Sequence, residues 1–195
     1  MTKPISLNVS QTETQRIFVG LGWDPKERET LMDKLGVFMG KHEAHHDLDL
    51  ACYTYNPDGE CLGYVNADKN HSQNPSGSIY HSGDSVEGIG DGDDEQISVE
   101  LKNLPPNVHH ILFKVSIKSG HHFGEVLMPE IRLCDGYTER VFLYKTLEDG
   151  KERDGYVFAH LYRHQESGEW VLKEIHAFDD HTDPEGWKDT LKAYL

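Results

Sequence analysis

Apolar and polar residues alternate along several short segments of the chain. Residues 96–101 and 109–117 show this most clearly, because every second residue in them is aliphatic or aromatic. A period of two residues indicates a β-strand with one buried face. Further strand-like segments, separated by Gly, Pro, Asn and Asp, lie at residues 16–23, 48–55, 61–66, 130–133, 141–145, 156–163 and 170–178. Short strands at this spacing predict an all-β-dominated fold, an antiparallel sandwich or barrel, and we favour the antiparallel β-sandwich.

One tight turn defines a predicted hairpin. Residues 56–59 read Asn-Pro-Asp-Gly, in which proline sets φ at the second position and glycine suits the fourth. With this turn, Thr54 lies opposite Cys61, and Cys52 lies opposite Gly63. The prediction therefore leaves the two cysteines without direct pairing.

Two segments follow a helical period instead. Residues 29–39 place Leu, Met and Phe at helical spacing, which predicts a short helical insertion. Near the C-terminus, Asp183 is a suitable N-cap and Pro184 suits the first helical position. Trp187 and Leu191 then share one face of a C-terminal helix. We expect both helices to pack against the sandwich.

The length of 195 residues fits one domain, at roughly 150 residues per domain. We predict a single domain over residues 1–195, in which residues 179–195 form a C-terminal helical extension. Three cysteines without a Cys-x-x-Cys pair argue against a disulfide framework. The N-terminal segment lacks the apolar core of a secretory signal, and no apolar run reaches the roughly 18 residues of a membrane span. These features predict a cytoplasmic protein.

The charge balance limits the classes of partner. There are 34 Asp and Glu residues against 19 Lys and Arg residues, so the formal net charge is −15. Such a chain repels nucleic-acid phosphates and anionic membrane surfaces. We therefore expect no nucleic-acid partner and no direct membrane insertion, and we favour cations or basic proteins as partners.

The strongest chemical signal is an acidic, glycine-rich loop at residues 83–95, which reads GDSVEGIGDGDDE. Two carboxylates about 4 Å apart repel by roughly 1 kcal/mol in water, and a bound divalent cation removes that cost. Calcium accepts roughly six to eight oxygen ligands in irregular geometry, and glycines let the backbone wrap around an ion. The candidate metal ligands in this loop are Asp84, Glu87, Asp91, Asp93, Asp94 and Glu95.

A second acidic pair, Asp47 and Asp49, adds to the candidate metal site. Side chains at positions i and i+2 of a strand point to the same face. The alternative for all of these acids is a solvated turn without bound metal. An EF-hand loop starting at Asp91 is excluded, because its sixth and twelfth positions are Gln96 and Lys102 instead of Gly and Glu.

Three blocks of the sequence carry a family resemblance. Residues 79–117 read IYHSGDSVEGIGDGDDEQISVELKNLPPNVHHILFKVSI, residues 20–25 read GLGWDP and residues 47–52 read DLDLAC. Together they resemble the TerD family of tellurium-resistance proteins, and the long stretch between GLGWDP and DLDLAC is closer to the TerZ-type branch. The resemblance extends over about residues 6–178. It departs at Ile89, where family members often carry an acidic residue.

The resemblance implies a β-sandwich that binds calcium. It also implies a cytoplasmic role in resistance to tellurite and other chemical stress, to colicins or to phage. We expect about two calcium ions, because this many carboxylates exceed what one ion needs. The residues that match acidic positions of the family are Asp47, Asp49, Asp84, Asp91, Asp93, Asp94 and Glu95.

The function that we expect is a non-enzymatic, calcium-binding scaffold of the stress response. Its expected partners are other proteins of a stress-response complex, and self-association stays open. The alternative is a metal-dependent enzyme, or a calcium-mediated small-ligand-binding module, that uses the same acidic site. We expect no catalytic residues, since no nucleophile motif is present. A transition-metal site at His160, His164 and His176 is a further alternative.

Overall fold

The computed structural model describes residues 4–24, 46–83 and 92–195. The helical insertion predicted at residues 29–39 lies outside the described residues.

Eleven β-strands and one α-helix form the regular structure of the described residues. The strands are β1 (Ile5–Ser6), β2 (Arg16–Asp24), β3 (Leu48–Tyr55), β4 (Cys61–Val65), β5 (Ile79–His81), β6 (Glu95–Glu100), β7 (His110–Ile117), β8 (Leu127–Asp135), β9 (Val141–Thr146), β10 (Gly155–Arg163) and β11 (Trp170–Asp179), and the helix is α1 (Pro184–Lys192). Short 3₁₀ turns lie at Leu101–Asn103, Phe123–Glu125 and Glu148–Gly150. Every strand-like segment of the sequence forms a strand, and β1 and β5 are additional.

The strands form two antiparallel sheets. The larger sheet has the order β1-β11-β10-β7-β3-β4, and the smaller sheet has the order β5-β6-β2-β8-β9. The pairings between these strands are antiparallel throughout the described residues. The predicted antiparallel β-sandwich is therefore confirmed.

The hydrophobic core combines the alternating faces of both sheets. Ile97 and Val99 of β6 in the smaller sheet are fully buried in the same cluster as Phe113 and Val115 of β7 in the larger sheet. Because the polar residues between them point to the other side of each sheet, the period that indicated the strands also identified their buried face.

The hairpin between β3 and β4 differs from its predicted register. Thr54 lies opposite Gly63 instead of Cys61, and Cys52 lies opposite Val65 instead of Gly63. The loop closes through the Asn56 N–H, which donates to the carbonyl of Glu60 at 3.0 Å, and a bulge next to Thr54 then shifts the pairing. A turn motif determines only the tip of a hairpin, so a bulge beyond it changes every later pair.

The predicted C-terminal helix is confirmed, and it packs on the outer face of the larger sheet. Asp183 caps it, because its Oδ1 accepts the Gly186 N–H at 2.7 Å. Trp187 and Leu191 are buried against the sheet. In the part of the chain that the structure describes, no helix has the length and apolar composition to cross a membrane.

Two tyrosines of β3 hold the helix by its backbone. The Tyr55 hydroxyl donates to the carbonyl of Lys188 at 3.0 Å, and the Tyr53 hydroxyl donates to the carbonyl of Pro184 at 3.3 Å. The helix therefore covers the outer side of β3, the strand that follows Asp47 and contains Asp49.

Candidate functional site

The start of β3 and the start of β6 meet at one end of the sandwich. The Leu50 N–H of β3 donates to Oε2 of Glu95 in β6 at 2.8 Å, and this bond joins the larger sheet to the smaller one. Burial raises the pKa of Glu95, and the negative charge of nearby Asp49 makes a smaller contribution to that rise. The two acidic segments therefore meet at the bond between Leu50 and Glu95, and the Asp49 side chain lies on the other face of β3. Of the other candidate ligands, Asp84, Glu87 and Asp91 lie outside the described residues.

Glu95 is fully buried between the sheets. Burial raises the pKa of its carboxyl group, while the neighbouring His81 and the Leu50 N–H oppose that shift. His81 Nε2 lies 3.4 Å from Glu95 Oε2. His81 Nδ1 accepts the Gly83 N–H at 3.1 Å, so we assign the ring proton to Nε2, which faces the carboxylate. Glu95 thus supplies a buried negative charge that β3 and His81 already contact.

Asp49 is deeply buried, and one of its carboxylate oxygens accepts no hydrogen bond from the described residues. The residue is 3% exposed and lies on the outer face of the larger sheet, opposite Ser116. The Lys118 ammonium donates to its Oδ1 at 2.5 Å. Its Oδ2 is buried and has no hydrogen-bond partner among the described residues. Leaving a buried carboxylate oxygen unsatisfied costs free energy, so Oδ2 is suited to receive a cation. Asp47 lies two residues earlier and is partly buried.

Asp93 lies on the other side of the smaller sheet, away from the core. The Arg132 Nε donates to Asp93 Oδ1 at 2.9 Å, and Nη2 donates to Oδ2 at 3.0 Å. The guanidinium carbon also lies 5.6 Å from the centre of the Phe18 ring. Both oxygens of Asp93 are thus held by a planar, permanently charged partner, which leaves Asp93 poorly suited as a metal ligand.

Asp94 ties the end of the acidic loop to β2. Its Oδ2 accepts the Trp23 N–H at 2.9 Å, and its own N–H donates to the carbonyl of Leu21 at 2.8 Å. Partial burial raises the pKa of its carboxyl group, and the negative charges of Asp93 and Asp24 add to that rise. Neutralisation by a cation is therefore favourable at Asp94.

A pocket of about 510 Å³ opens beside these two aspartates on the outer face of the smaller sheet. Its lining is polar: Ser82, Gly83, Gly92, Asp93, Asp94, Gln96 and Arg132.

The carboxylate oxygens near the starts of β3 and β6 meet only some requirements of a site for a hard cation. Its candidate ligands are carboxylates, which calcium prefers, and Asp49 presents a buried oxygen without a partner in the described residues. However, no group of three or more His, Cys, Asp or Glu side chains with metal-binding geometry occurs within residues 4–24, 46–83 and 92–195.

The sequence pattern did not identify the basic residues that pair with the acids or the glycines that make room for them. Lys118 and Arg132 are isolated charges in the sequence, and nothing in their spacing indicates an acidic partner. The glycine pair Gly20 and Gly22 was an available signal, because alternating glycines on one strand face indicate that another segment approaches closely. Asp93 fills that space over Gly20.

Gly20→Ala is expected to destabilise the protein by about 1–2 kcal/mol, through overpacking and loss of a partly buried ion pair. A Cβ atom at Gly20 would lie 2.1 Å from Asp93 Oδ2, so Asp93 must leave Arg132. Chemical denaturation measures the effect. In an Asp93→Ala background the same change should cost less by about 1 kcal/mol, and equal costs in both backgrounds would contradict this packing.

The alternative transition-metal site is not formed in the described residues. His160 Nε2 lies 3.0 Å from Nδ1 of His110, and burial lowers the pKa of His160 to about 3. His176 Nδ1 instead lies 2.8 Å from the hydroxyl of Tyr156. Within the described chain, these histidines join no cluster of three metal ligands.

Comparisons with known proteins agree with the fold. A family model described as the TerD domain matches residues 2–178. The chain belongs to the TerD family. Helix α1 lies beyond the range that the family model matches.

Relatives of this TerD-family chain are named for resistance and stress. The tellurium resistance protein TerZ of Serratia marcescens is 31% identical over 192 residues, which cover 98% of this chain and 95% of TerZ. General stress protein 16U of Bacillus subtilis is 29% identical over 177 residues, which cover 88% of this chain and 84% of that protein. The crystal structure of a TerD homologue from Streptomyces coelicolor A3(2) is 27% identical, with a TM-score of 0.69, and the match covers 89% of this chain and 94% of that chain.

Proposed function

We propose that this protein is a non-enzymatic, calcium-binding scaffold of the cellular stress response. In this proposal it acts in the cytoplasm, and calcium binding changes its affinity for other proteins of a stress-response complex. The names of its relatives, tellurium resistance protein and general stress protein, support the stress-response role.

The single observation that carries the calcium proposal is the buried Oδ2 of Asp49, which has no hydrogen-bond partner in the described residues. A calcium ion at this oxygen would satisfy it and would also reduce the repulsion between Asp49 and Glu95. Asp47 is the second acid at the start of β3, and the acidic loop between β5 and β6 supplies Asp84, Glu87 and Asp91. We assign these residues to the ligand set ahead of Asp93.

The hydrogen bonds and the ion pair of the described acids favour the scaffold role. Asp93 is held by Arg132, Asp94 by the Trp23 N–H, and Glu95 by the Leu50 N–H. These contacts fix the positions of the three carboxylates, and they do not position a base against a nucleophile. An ion bound here would lower the net negative charge of −15 and ease the approach of other acidic proteins.

The polar pocket beside Asp93 and Asp94 favours a second candidate, a calcium-mediated small-ligand-binding module or a metal-dependent enzyme. Ser82, Gln96 and Arg132 line this pocket from outside the acidic loop. Calcium-dependent turnover in a panel of hydrolase and transferase substrates would favour this candidate over the scaffold.

Titration calorimetry of chelator-treated protein tests the calcium proposal. About two calcium ions should bind, and magnesium should bind more weakly, because it requires compact octahedral geometry and keeps its water ligands. Asp49→Ala should lower calcium affinity more than Asp93→Ala, and Glu148→Ala and Glu166→Ala, the matched controls, should have little effect. No calcium heat and no stoichiometric retention of calcium would disprove the proposal.

A further inference from the structure

A buried lysine lies under helix α1. Lys114 of β7 is 4% exposed, and its Nζ donates to Ser116 Oγ on the outer face of the larger sheet. The Trp187 ring of the helix covers it, with 5.3 Å between Nζ and the ring centre. A buried ammonium group requires a nearby negative charge or a π-face to offset the loss of hydration.

The negative charges that stabilise Lys114 come from the candidate cation site. Burial lowers the pKa of Lys114 to about 8, while the charges of Asp49 and Glu95 oppose that decrease. Lys114 lies opposite Ala51, and the neighbouring Ser116 lies opposite Asp49, so the lysine and Asp49 occupy adjacent rows of one sheet face. The charge of Asp49 therefore acts through space on the lysine that the helix covers.

Lys118 is a second cation at the same carboxylate. Its Nζ donates to Asp49 Oδ1 at 2.5 Å, while its side chain is half-exposed. A metal ion that uses both oxygens of Asp49 must displace this ammonium group. Lys118 is long and exposed enough to move into solvent, whereas Lys114 has no such exit while α1 is docked.

The interface between α1 and the sheet carries desolvation costs that undocking would relieve. Trp187 Nε1 is buried, and in the described residues it has no hydrogen-bond partner. Lys114 is buried beneath the Trp187 ring, and Asp49 is buried one row further along the same sheet face. Apolar contacts of Trp187 and Leu191 with the sheet offset these costs, and a change in the local charge can alter this balance.

We propose that a cation bound at Asp49 and the docked helix α1 oppose each other, and that Lys114 and Lys118 carry this coupling. This inference rests on the proposed calcium site. A divalent cation at Asp49 neutralises the charge that stabilises Lys114 and repels its ammonium group. The lysine reaches water only when Trp187 lifts away, so calcium loosens the helix and uncovers the sheet face formed by Ala51, Tyr53, Tyr55, Leu112 and Val157.

The calcium affinities of variants that lack one lysine charge test whether Lys114 and Lys118 weaken calcium binding. Lys114→Met and Lys118→Met should each tighten calcium binding about ten-fold, since one repelling charge or one competing ammonium group is removed. Met keeps an unbranched side chain that is only one heavy atom shorter, and removing a buried charge is compatible with folding. Lys145→Met is the matched control, because Lys145 is also bonded to a carboxylate, that of Glu174 at 2.5 Å, and its loss changes the net charge equally.

Hydrogen exchange of the full chain, with calcium or with chelator, tests whether calcium loosens helix α1. In the wild type, calcium should lower the protection factors of the backbone amides in helix α1 about ten-fold. In Lys114→Met the change should be less than about two-fold. Unchanged protection of the helix in a calcium-loaded wild type would overturn the proposal, as would equal calcium affinities of all three lysine variants. Absence of calcium heat in every variant would disprove the proposed calcium site itself.

Discussion

Trp187→Ala is expected to lower the free energy of unfolding by about 3 kcal/mol. This value is at the lower end of the range for replacing a buried aromatic residue with alanine. The ring is 1% exposed and fills the space between α1 and the outer face of β3, β7 and β10. The substitution also admits water to Lys114, and this relief offsets part of the loss. The melting temperature should therefore fall by roughly 10 °C for a chain of this size.

Chemical denaturation and thermal melting both measure this effect, and Lys192→Ala serves as the control on the same helix. Lys192 lies at the exposed end of α1, where it pairs with Asp189 at 2.9 Å, so its loss should cost less than about 0.5 kcal/mol. Similar stabilities of Trp187→Ala and Lys192→Ala would show that packing of the Trp187 ring on the larger sheet does not stabilise the fold.

Saturating calcium is expected to raise the melting temperature of the wild-type protein by roughly 5–10 °C. A ligand that binds only the folded state contributes about 2.7 kcal/mol at a hundred-fold excess over Kd, and this corresponds to several degrees for a domain of this size. Asp49→Asn should abolish most of this increase, because the amide keeps the shape of the carboxylate but loses the charge that attracts the ion.

Differential scanning calorimetry with calcium or with chelator measures this increase, and Glu166→Gln is the control. Glu166 is exposed, so its amide variant should respond to calcium like the wild type. Because Asp49→Asn also loses the ion pair with Lys118, the comparison is made within each variant, between the two buffers. A melting temperature that is the same with calcium and chelator in the wild type would contradict calcium binding to the folded state.

The strands were predictable from the sequence because one-sided burial imposes a period of two. In β6 and β7 this period extends over six and eight residues, and its apolar positions are the ones that the core contains. In β1 and β5, which have two and three residues, the period is too short to recognise. These two strands depend on neighbours that the sequence does not reveal, since Ile5 pairs with Leu172 and Ile79 with Val99.

Helix α1 was predictable as a helix because its signals are local. Asp183 and Pro184 mark its start, and Trp187 and Leu191 lie four residues apart on one face. Its position on the outer face of the larger sheet, over Lys114, depends on contacts with residues more than a hundred positions away, such as Tyr53 and Tyr55.

For the acidic site, the sequence by itself determined which residues carry negative charge and that two acidic segments flank strands. The tertiary structure decided how these acids are distributed. It places Asp49 on the outer face of the larger sheet, Glu95 in the interior and Asp93 on the outer face of the smaller sheet. It also supplies the cations, Lys118 and Arg132, that oppose them. Strand alternation and local charge are properties of neighbouring residues, whereas the partner of a buried charge is selected by the packing of distant strands, which no local pattern encodes.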